Sequence, residues 1–90
     1  MMNKTDEQRL AEFGDQVRIL RNRRKMTLLM AADKAGISIR HWSNIEHGRT
    51  NITLLIIDRI SRALGVNPLR LMVCYWGDFC LRERGRIVLK

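Results

Sequence analysis

The sequence has few of the features that would mark a secreted or membrane-bound protein. It contains two cysteines, which are too few for the disulfide framework of a small secreted domain. Its longest uninterrupted apolar run, Leu71 to Trp76, has six residues, whereas a membrane span needs about 20. The N-terminal segment MMNKTDEQRL is polar and lacks the apolar centre of a signal peptide. These absences predict a reduced, cytoplasmic protein without a membrane span.

Acidic residues are also scarce. Nine Asp and Glu stand against 17 Lys and Arg, which gives a net charge of +8 and a pI of about 10.8. Hydrophobic residues make up 46% of the 90 residues, a composition that folds into one small domain with a modest core. A pI this high predicts a polyanionic partner: DNA, RNA or an acidic membrane surface.

The positive charge is concentrated between Arg18 and Arg49. This stretch contains eight Lys and Arg against Asp33 and Glu46, a net charge of +6. It is also rich in apolar residues, so we expect its basic side chains to project from a folded scaffold. A basic face kept only for solubility is the alternative, but solubility does not require such concentration in one third of a chain.

Hydrophobic periodicity predicts a protein that is almost entirely helical. Phe13, Val17, Leu20 and Arg24 recur at i, i+4, i+7 and i+11, which predicts a first helix over about Thr5–Lys25. Residues typical of helix starts and stops bound the other helices. The predicted segments are Leu28–Ala35 between Thr27 and Gly36, Ile39–Glu46 after Ser38, a fourth helix between Thr53 and Gly65, and a fifth over roughly Pro68–Tyr75 after Asn67.

Two short apolar runs follow Gly77. They are Phe79–Leu81 and Ile87–Leu89, and they surround a polar segment that contains Gly85. A β-hairpin with Gly85 in its turn is one interpretation. A frayed tail and a helical extension are the other two.

The segment from Thr27 to Glu46 carries the functional prediction. Two short helices joined by a glycine turn cross steeply, and Ala31, Ala32 and Ala35 let them approach closely. This geometry exposes the second helix of the pair. A helix about 10–12 Å across fits the major groove of B-DNA, which is about 12 Å wide.

The segment TLLMAADKAGISIRHWSNIEHGRTNITLLIIDRISRALGV resembles the helix-turn-helix proteins of the Cro/lambda-repressor type (the xenobiotic-response-element family). The resemblance covers about residues 13–73 and implies a compact all-α, five-helix domain. It also implies a bacterial or phage transcription regulator, such as a repressor, that binds double-stranded DNA as a homodimer. The matching pieces are Thr27, Ala32, Gly36-Ile37-Ser38, Ile45-Glu46, Gly48-Arg49 and Ala63-Leu64-Gly65-Val66.

The remaining parts of the chain are assigned around this domain. Residues 1–12 are expected to extend the first helix, and residues 74–90 to form a C-terminal extension that serves dimerisation. The stretch Asn51–Leu54 is similar to controller proteins of restriction–modification systems.

The resemblance also implies roles for individual residues. Arg40 would donate two hydrogen bonds to guanine, Asn44 would read adenine, and Ile39 would pack on a thymine methyl group. Arg21 and Glu46 match a structural pair of the family. The implied base-reading residues are Ile39, Arg40, Ser43 and Asn44, and the implied phosphate-binding residues are Thr27, Ser38, His41, Arg49, Thr50 and Asn51.

Some positions depart from the family pattern. Leu28 replaces the usual glutamine after the cap, and Leu29 and Met30 follow where polar residues are usual. Ile19 and Ile56 are also apolar at normally exposed positions. This surplus favours an additional apolar surface. It supports a rival interpretation, an antitoxin-like module whose main partner is another protein.

A dimer interface is expected in the C-terminal part of the chain, because aromatic residues are enriched at interfaces. Leu55 and Ile56 form a second candidate interface. The first consists of Leu71, Tyr75, Trp76, Phe79, Leu81, Ile87 and Leu89.

Other site classes fit the sequence poorly. His41, His47, Cys74 and Cys80 do not have a usual zinc spacing, so no metal site or cofactor is predicted. Neither histidine has a nucleophile near it in sequence, and the chain has no phosphate-binding glycine loop. Trp42 is assigned to the core by its spacing with Ile45. The sequence therefore predicts a binding protein and not an enzyme.

Overall fold

The computed structural model describes residues 5–76, 79–81 and 87–89, and the side chains of residues 5–72. The described chain forms five helices and then two short strands, which confirms the all-α class predicted for the domain. None of these helices combines the length and the apolar character needed to cross a bilayer. The elements are α1 (Asp6–Arg23), α2 (Leu28–Ala35), α3 (Ile39–Glu46), α4 (Leu54–Leu64), α5 (Pro68–Trp76), β1 (Phe79–Leu81) and β2 (Ile87–Leu89).

Side-chain hydroxyls begin four of the helices. Thr5, Thr27, Ser38 and Thr53 each accept a hydrogen bond from the backbone N–H three residues later, at 3.0–3.1 Å. Each bond satisfies an amide that has no partner within the helix and stabilises the helix by about 1 kcal/mol. The caps predicted for α2, α3 and α4 are therefore confirmed.

The end of α1 differs from the prediction. The helix ends at Arg23, because Lys25 adopts a left-handed backbone with φ of 55°. The Lys25 N–H donates to the carbonyl oxygen of Asn22 at 2.9 Å, which closes the last turn. Arg24, predicted on the apolar face, is exposed, and its guanidinium donates to the carbonyl oxygen of Gly65 at 3.2 Å.

All five helices contribute to one hydrophobic core. Trp42 is fully buried there, as its spacing predicts. The small side chains of α2 bring that helix close to its neighbours, while the larger ones come from α1, α3, α4 and α5. The core consists of Phe13, Val17, Leu20, Met26, Ala31, Ala32, Ala35, Trp42, Ile45, Ile57, Ile60, Ala63, Leu64 and Leu71.

A glycine allows α1 to approach the end of α3. Gly14 is buried, and a Cβ atom placed on it would lie only 2.5 Å from the carbonyl oxygen of Glu46. No side chain fits in that space. The backbone of α1 therefore contacts the backbone of α3 directly at this point, which the periodicity of the sequence does not predict.

The two strands pair antiparallel after α5. Phe79 lies opposite Leu89, and Leu81 lies opposite Ile87. Of the three interpretations of this segment, the structure matches the hairpin. Gly85, predicted in the turn, lies outside the described residues.

Candidate nucleic-acid interface

A tight turn joins α2 to α3. Gly36 supplies a left-handed residue, with φ of 72° and ψ of 32°, where L side chains are strained. The Ile37 N–H donates to the carbonyl oxygen of Ala32 at 3.0 Å, which closes the end of α2. Because Ala32 and Ala35 are buried between the helices, α2 supports one side of α3 and leaves the other side at the surface.

The outer side of α3 carries the four residues predicted to read bases. The side chain of Ile39 is 43% exposed although it is apolar. Arg40 is exposed beside it, and Ser43 and Asn44 are half-buried one turn later. These four residues therefore line the surface of a single helix.

Arg40 is available to an external partner. In residues 5–72, where side chains are described, its guanidinium takes part in no ion pair, unlike the guanidinium groups of Arg18, Arg21 and Arg62. A guanidinium has five N–H groups in a planar fork that matches two acceptors at once. Arg40 can therefore form a bidentate contact with a base edge or a phosphate.

The N-termini of α2 and α3 are both exposed. The exposed hydroxyl of Thr27 accepts from the N–H of Met30 at 3.1 Å, and that of Ser38 accepts from the N–H of His41 at 3.0 Å. Each cap satisfies one amide and leaves the other first-turn amides of α2 and α3 without helical partners. Such amides, with the positive end of the helix dipole, are suited to phosphate.

The loop after α3 holds the other predicted phosphate ligands. Arg49 and Asn51 are exposed, and Thr50 is half-buried. The backbone N–H of Arg49 donates to the carbonyl oxygen of Asn44 at 2.9 Å, which fixes the loop to the end of α3. His41, also predicted to bind phosphate, lies half-buried on α3 itself.

The structure brings Arg21 and Glu46 together on the inner side of α3. The Nε of Arg21 donates to Oε2 of Glu46 at 2.6 Å, and Nη2 donates to Oε1 at 3.2 Å. Nη1 of Arg21 donates to the carbonyl oxygen of Met26 at 2.8 Å. The pair is shielded from solvent, because its side chains are 12% and 5% exposed. It joins α1 to the end of α3.

A third residue bonds to the same carboxylate, and the sequence did not indicate it. The indole N–H of Trp42 donates to Oε2 of Glu46 at 2.7 Å. Trp42 and Glu46 stand at i and i+4 on one helix, and this spacing is the one sequence signal that could have predicted the contact. The carboxylate thus accepts three hydrogen bonds and fixes both α1 and the core side of α3.

The apolar departures from the family pattern divide into two groups. Leu28 and Ile56 are partly buried and pack against the core, and Ile19 is half-buried. The expectation of a surface at these three positions is therefore only partly met. Leu29 and Met30 are 61% and 50% exposed.

The residues predicted at a dimer interface differ in how far they are exposed. Leu71 is fully buried in the core, so its side chain is not at the surface of the protomer. In the second candidate set, Leu55 is 61% exposed and Ile56 is partly buried. The side chains of the others lie outside the described residues, namely Tyr75, Trp76, Phe79, Leu81, Ile87 and Leu89.

Solved structures with this arrangement are known. The chain is similar to the restriction-modification controller protein C.AhdI from Aeromonas hydrophila, with 27% identity over 69% of this chain and 94% of that chain and a TM-score of 0.68. It is similar to the hypothetical transcription factor NHTF from Neisseria, with 29% identity over 79% of this chain and 83% of that chain and a TM-score of 0.67. The clp gene regulator ClgR from C. glutamicum shares the fold, with 20% identity over 89% of this chain and all of that chain and a TM-score of 0.71.

The comparison of sequences gives the family directly. No curated protein matches the chain. A family model described as a helix-turn-helix domain matches residues 12–71, two thirds of the sequence. This match confirms the family predicted from residues 27–66, and the chain belongs to the helix-turn-helix domain family.

Proposed function

We propose that the protein is a sequence-specific regulator of transcription that binds double-stranded DNA as a homodimer and acts in the cytoplasm, on the nucleoid. The observation that carries the proposal is the exposed side of α3, where Ile39 and Arg40 project from a helix whose opposite side is fixed by Glu46. Membership of the helix-turn-helix family and similarity to C.AhdI, a controller protein, support it. The protein acts by binding and not as an enzyme.

Each subunit lays residues 38–46 in the major groove. Arg40 donates two hydrogen bonds to O6 and N7 of a guanine, a contact that provides about 1–3 kcal/mol of discrimination between bases. Asn44 accepts from and donates to adenine in the same manner. Ile39 packs on a thymine methyl group, which is the one apolar feature of the groove.

Phosphate contacts fix the position of α3 along the duplex. The free first-turn amides beyond Thr27 and Ser38 bind phosphate oxygens, as do His41 and the loop that carries Arg49, Thr50 and Asn51. Leu28 is partly buried where the family has glutamine, so the side-chain contact of that glutamine is absent. The amides at the start of α2 provide the contact instead.

Selection from random duplexes with the purified protein tests base reading and half-site symmetry together. Arg40→Ala is expected to weaken binding to the selected site by about 1–3 kcal/mol and to relax the preference at one base pair. Arg18→Ala is the matched control, because Arg18 is also exposed but lies on α1 in an ion pair with Asp15. Equal losses for the two variants, or unchanged base preference in Arg40→Ala, would contradict the role given to Arg40.

The salt dependence tests the phosphate contacts. Affinity is expected to fall steeply between low and moderate salt, because each contact releases condensed counterions. RNA and anionic vesicles are the competing ligands, and duplex DNA is expected to outcompete both. A flat salt profile, or preferred binding to RNA or vesicles, would contradict the proposal.

The homodimer addresses two half-sites about 34 Å apart. We place its interface at Tyr75, Trp76 and the two strands, in which Phe79, Leu81, Ile87 and Leu89 occupy directly paired positions. Leu55, which is exposed on α4, belongs to the second candidate interface with Ile56. Light scattering is expected to give a dimer at tens of micromolar protein, and a monomer at that concentration would refute the dimer.

A protein partner is the second candidate function. Leu29 and Met30 are exposed next to each other at the start of α2, although most helix surfaces carry polar side chains there. An antitoxin-like protein would use them to bind a second protein. A co-purified partner that the uncharged variant Leu29→Gln releases, without a change in DNA affinity, would support this function; a partner that stays bound would exclude these residues.

A further inference from the structure

A cavity of about 320 Å³ lies between the end of α2 and one side of α4, and its lining includes no residue of α3. This volume is at the lower end of the range of small-molecule sites. Its apolar surface comes from Ala35 and Leu55. The residues that line it are Lys34, Ala35, Leu55, Asp58, Arg59 and Arg62.

The charges around this cavity are unbalanced. Lys34, Arg59 and Arg62 are positive, and Asp58 is the one carboxylate among the lining residues. Arg62 and Asp58 form an ion pair at 3.2 Å, in which the side chains are 79% and 44% exposed. The Arg62 guanidinium therefore neutralises the Asp58 carboxylate within the lining. Two positive charges remain without a carboxylate in the lining.

Arg59 is held in position by the end of α2. Its Nη1 donates to the carbonyl oxygen of Ala35 at 3.4 Å. The guanidinium covers Gly36, because a Cβ atom placed on that glycine would lie 3.0 Å from Nη1. The other N–H groups of the guanidinium have no acceptor in residues 5–72, so the fork is fixed at one end and can bind two oxygen atoms at the other.

We propose that this cavity binds an oxyanion, a phosphate or carboxylate group. Arg59 forms the forked contact and Lys34 provides a second positive charge, while Arg62 stays paired with Asp58 and neutralises that carboxylate beside the anion. Leu55 and Ala35 contact the carbon atoms next to the anionic group. Two sources carry this chemistry, a free organic anion of metabolite size and the phosphate backbone of a duplex.

The first experiment is a titration of the full chain with inorganic phosphate, followed by the amide chemical shifts in nuclear magnetic resonance. Chloride at equal ionic strength is the reference. We expect saturable shifts at residues 34–36 and 55–62, in addition to any shifts at the phosphate-binding groups proposed for the starts of α2 and α3 and for the loop after α3. Shifts that stay linear, or that are equal with chloride, would overturn the proposal.

Charge reversal tests the residues themselves. Lys34→Glu is expected to weaken phosphate binding about tenfold or more, because it removes a charge-assisted contact and adds repulsion. Arg23→Glu is the matched control, since Arg23 is an exposed residue in the last turn of α1 and the change in net charge is the same. Equal affinities in the two variants would overturn the site, and loss in Lys34→Glu alone supports it.

The second experiment distinguishes the two sources of the anion. If the anion is a duplex phosphate, Lys34→Ala is expected to reduce the salt dependence of DNA affinity by about one counterion. Arg23→Ala, which removes the same charge outside the cavity, is the control. An unchanged slope with saturable phosphate binding identifies a free anion as the ligand. Both outcomes support the site. Because the phosphate titration contains no DNA, it is independent of the function proposed above.

Discussion

We expect Glu46→Ala to lower the free energy of unfolding more than any other single substitution on the buried side of α3. The carboxylate is 5% exposed and accepts hydrogen bonds from Nε and Nη2 of Arg21 and from Nε1 of Trp42. Glu46→Ala leaves the 12%-exposed guanidinium with the carbonyl oxygen of Met26 as its partner. It also leaves a fully buried indole N–H without an acceptor.

The magnitude follows from these two losses. Breaking a buried ion pair by removal of one partner costs about 3–5 kcal/mol, and an unsatisfied buried donor costs about 1–3 kcal/mol. The two costs overlap, because one carboxylate serves both donors, so we expect a loss of about 4 kcal/mol in the free energy of unfolding. A small domain has about 5–15 kcal/mol in total.

Urea unfolding followed by far-ultraviolet circular dichroism measures this loss. Asp15→Ala is the matched control, because Asp15 is 55% exposed and its ion pair with Arg18 is worth less than about 1 kcal/mol. A double variant, Arg21→Met with Glu46→Leu, is expected to recover the part of the loss that comes from the unpaired guanidinium, but not the part that comes from the indole N–H of Trp42. A loss below about 1 kcal/mol in Glu46→Ala, or one equal to that of Asp15→Ala, would refute the reasoning.

Three further changes test the backbone geometry. Gly14→Ala is expected to lower the free energy of unfolding by about 1–3 kcal/mol or more, since its Cβ would lie 2.5 Å from the carbonyl oxygen of Glu46; an unchanged urea midpoint would contradict the close contact. Ser38→Ala is expected to cost about 1 kcal/mol through loss of the cap on α3, measured by thermal unfolding against Ser43→Ala, a half-buried serine within the same helix. Gly36→Ala is expected to cost about 1 kcal/mol, because its φ is 72°, and a more stable variant would show that the turn tolerates a side chain.

The helices were predictable because local signals agree with one another. Thr27 and Gly36 bound α2, and the structure begins and ends that helix at the residues between them. The same holds for α3, where hydroxyl capping and apolar periodicity point to one segment. Both signals act over a few residues, and a sequence displays them directly.

Features that depend on packing between helices were not predictable. Nothing local to Gly14 indicates that the carbonyl groups of Ile45 and Glu46 lie against it. Lys25 ends α1 in a left-handed conformation that sequence rules reserve for glycine and asparagine. The cavity beside Arg59 likewise depends on how α2 meets α4.

The sequence predicted the exposed residues of the candidate site, but not all of the contacts that fix α3 beneath them. The resemblance pointed to Ile39 and Arg40, and both are exposed on α3. It also gave Arg21 and Glu46, but not the indole of Trp42 that shares the same carboxylate. Leu28 is partly buried because it packs against the core. A departure from a family pattern does not by itself show whether a side chain packs inward.

The buried side and the exposed side of α3 consist of different residues. Trp42, Ile45 and Glu46 are buried and secure the helix from within, whereas Ile39 and Arg40 are exposed and take no part in the hydrogen bonds of Glu46. We therefore expect substitutions at these exposed positions to leave the scaffold intact, so that the base preference proposed for this helix can change at little cost in the free energy of unfolding. If the proposed function is right, a library randomised at the outer positions alone is expected to contain folded variants with new base preferences.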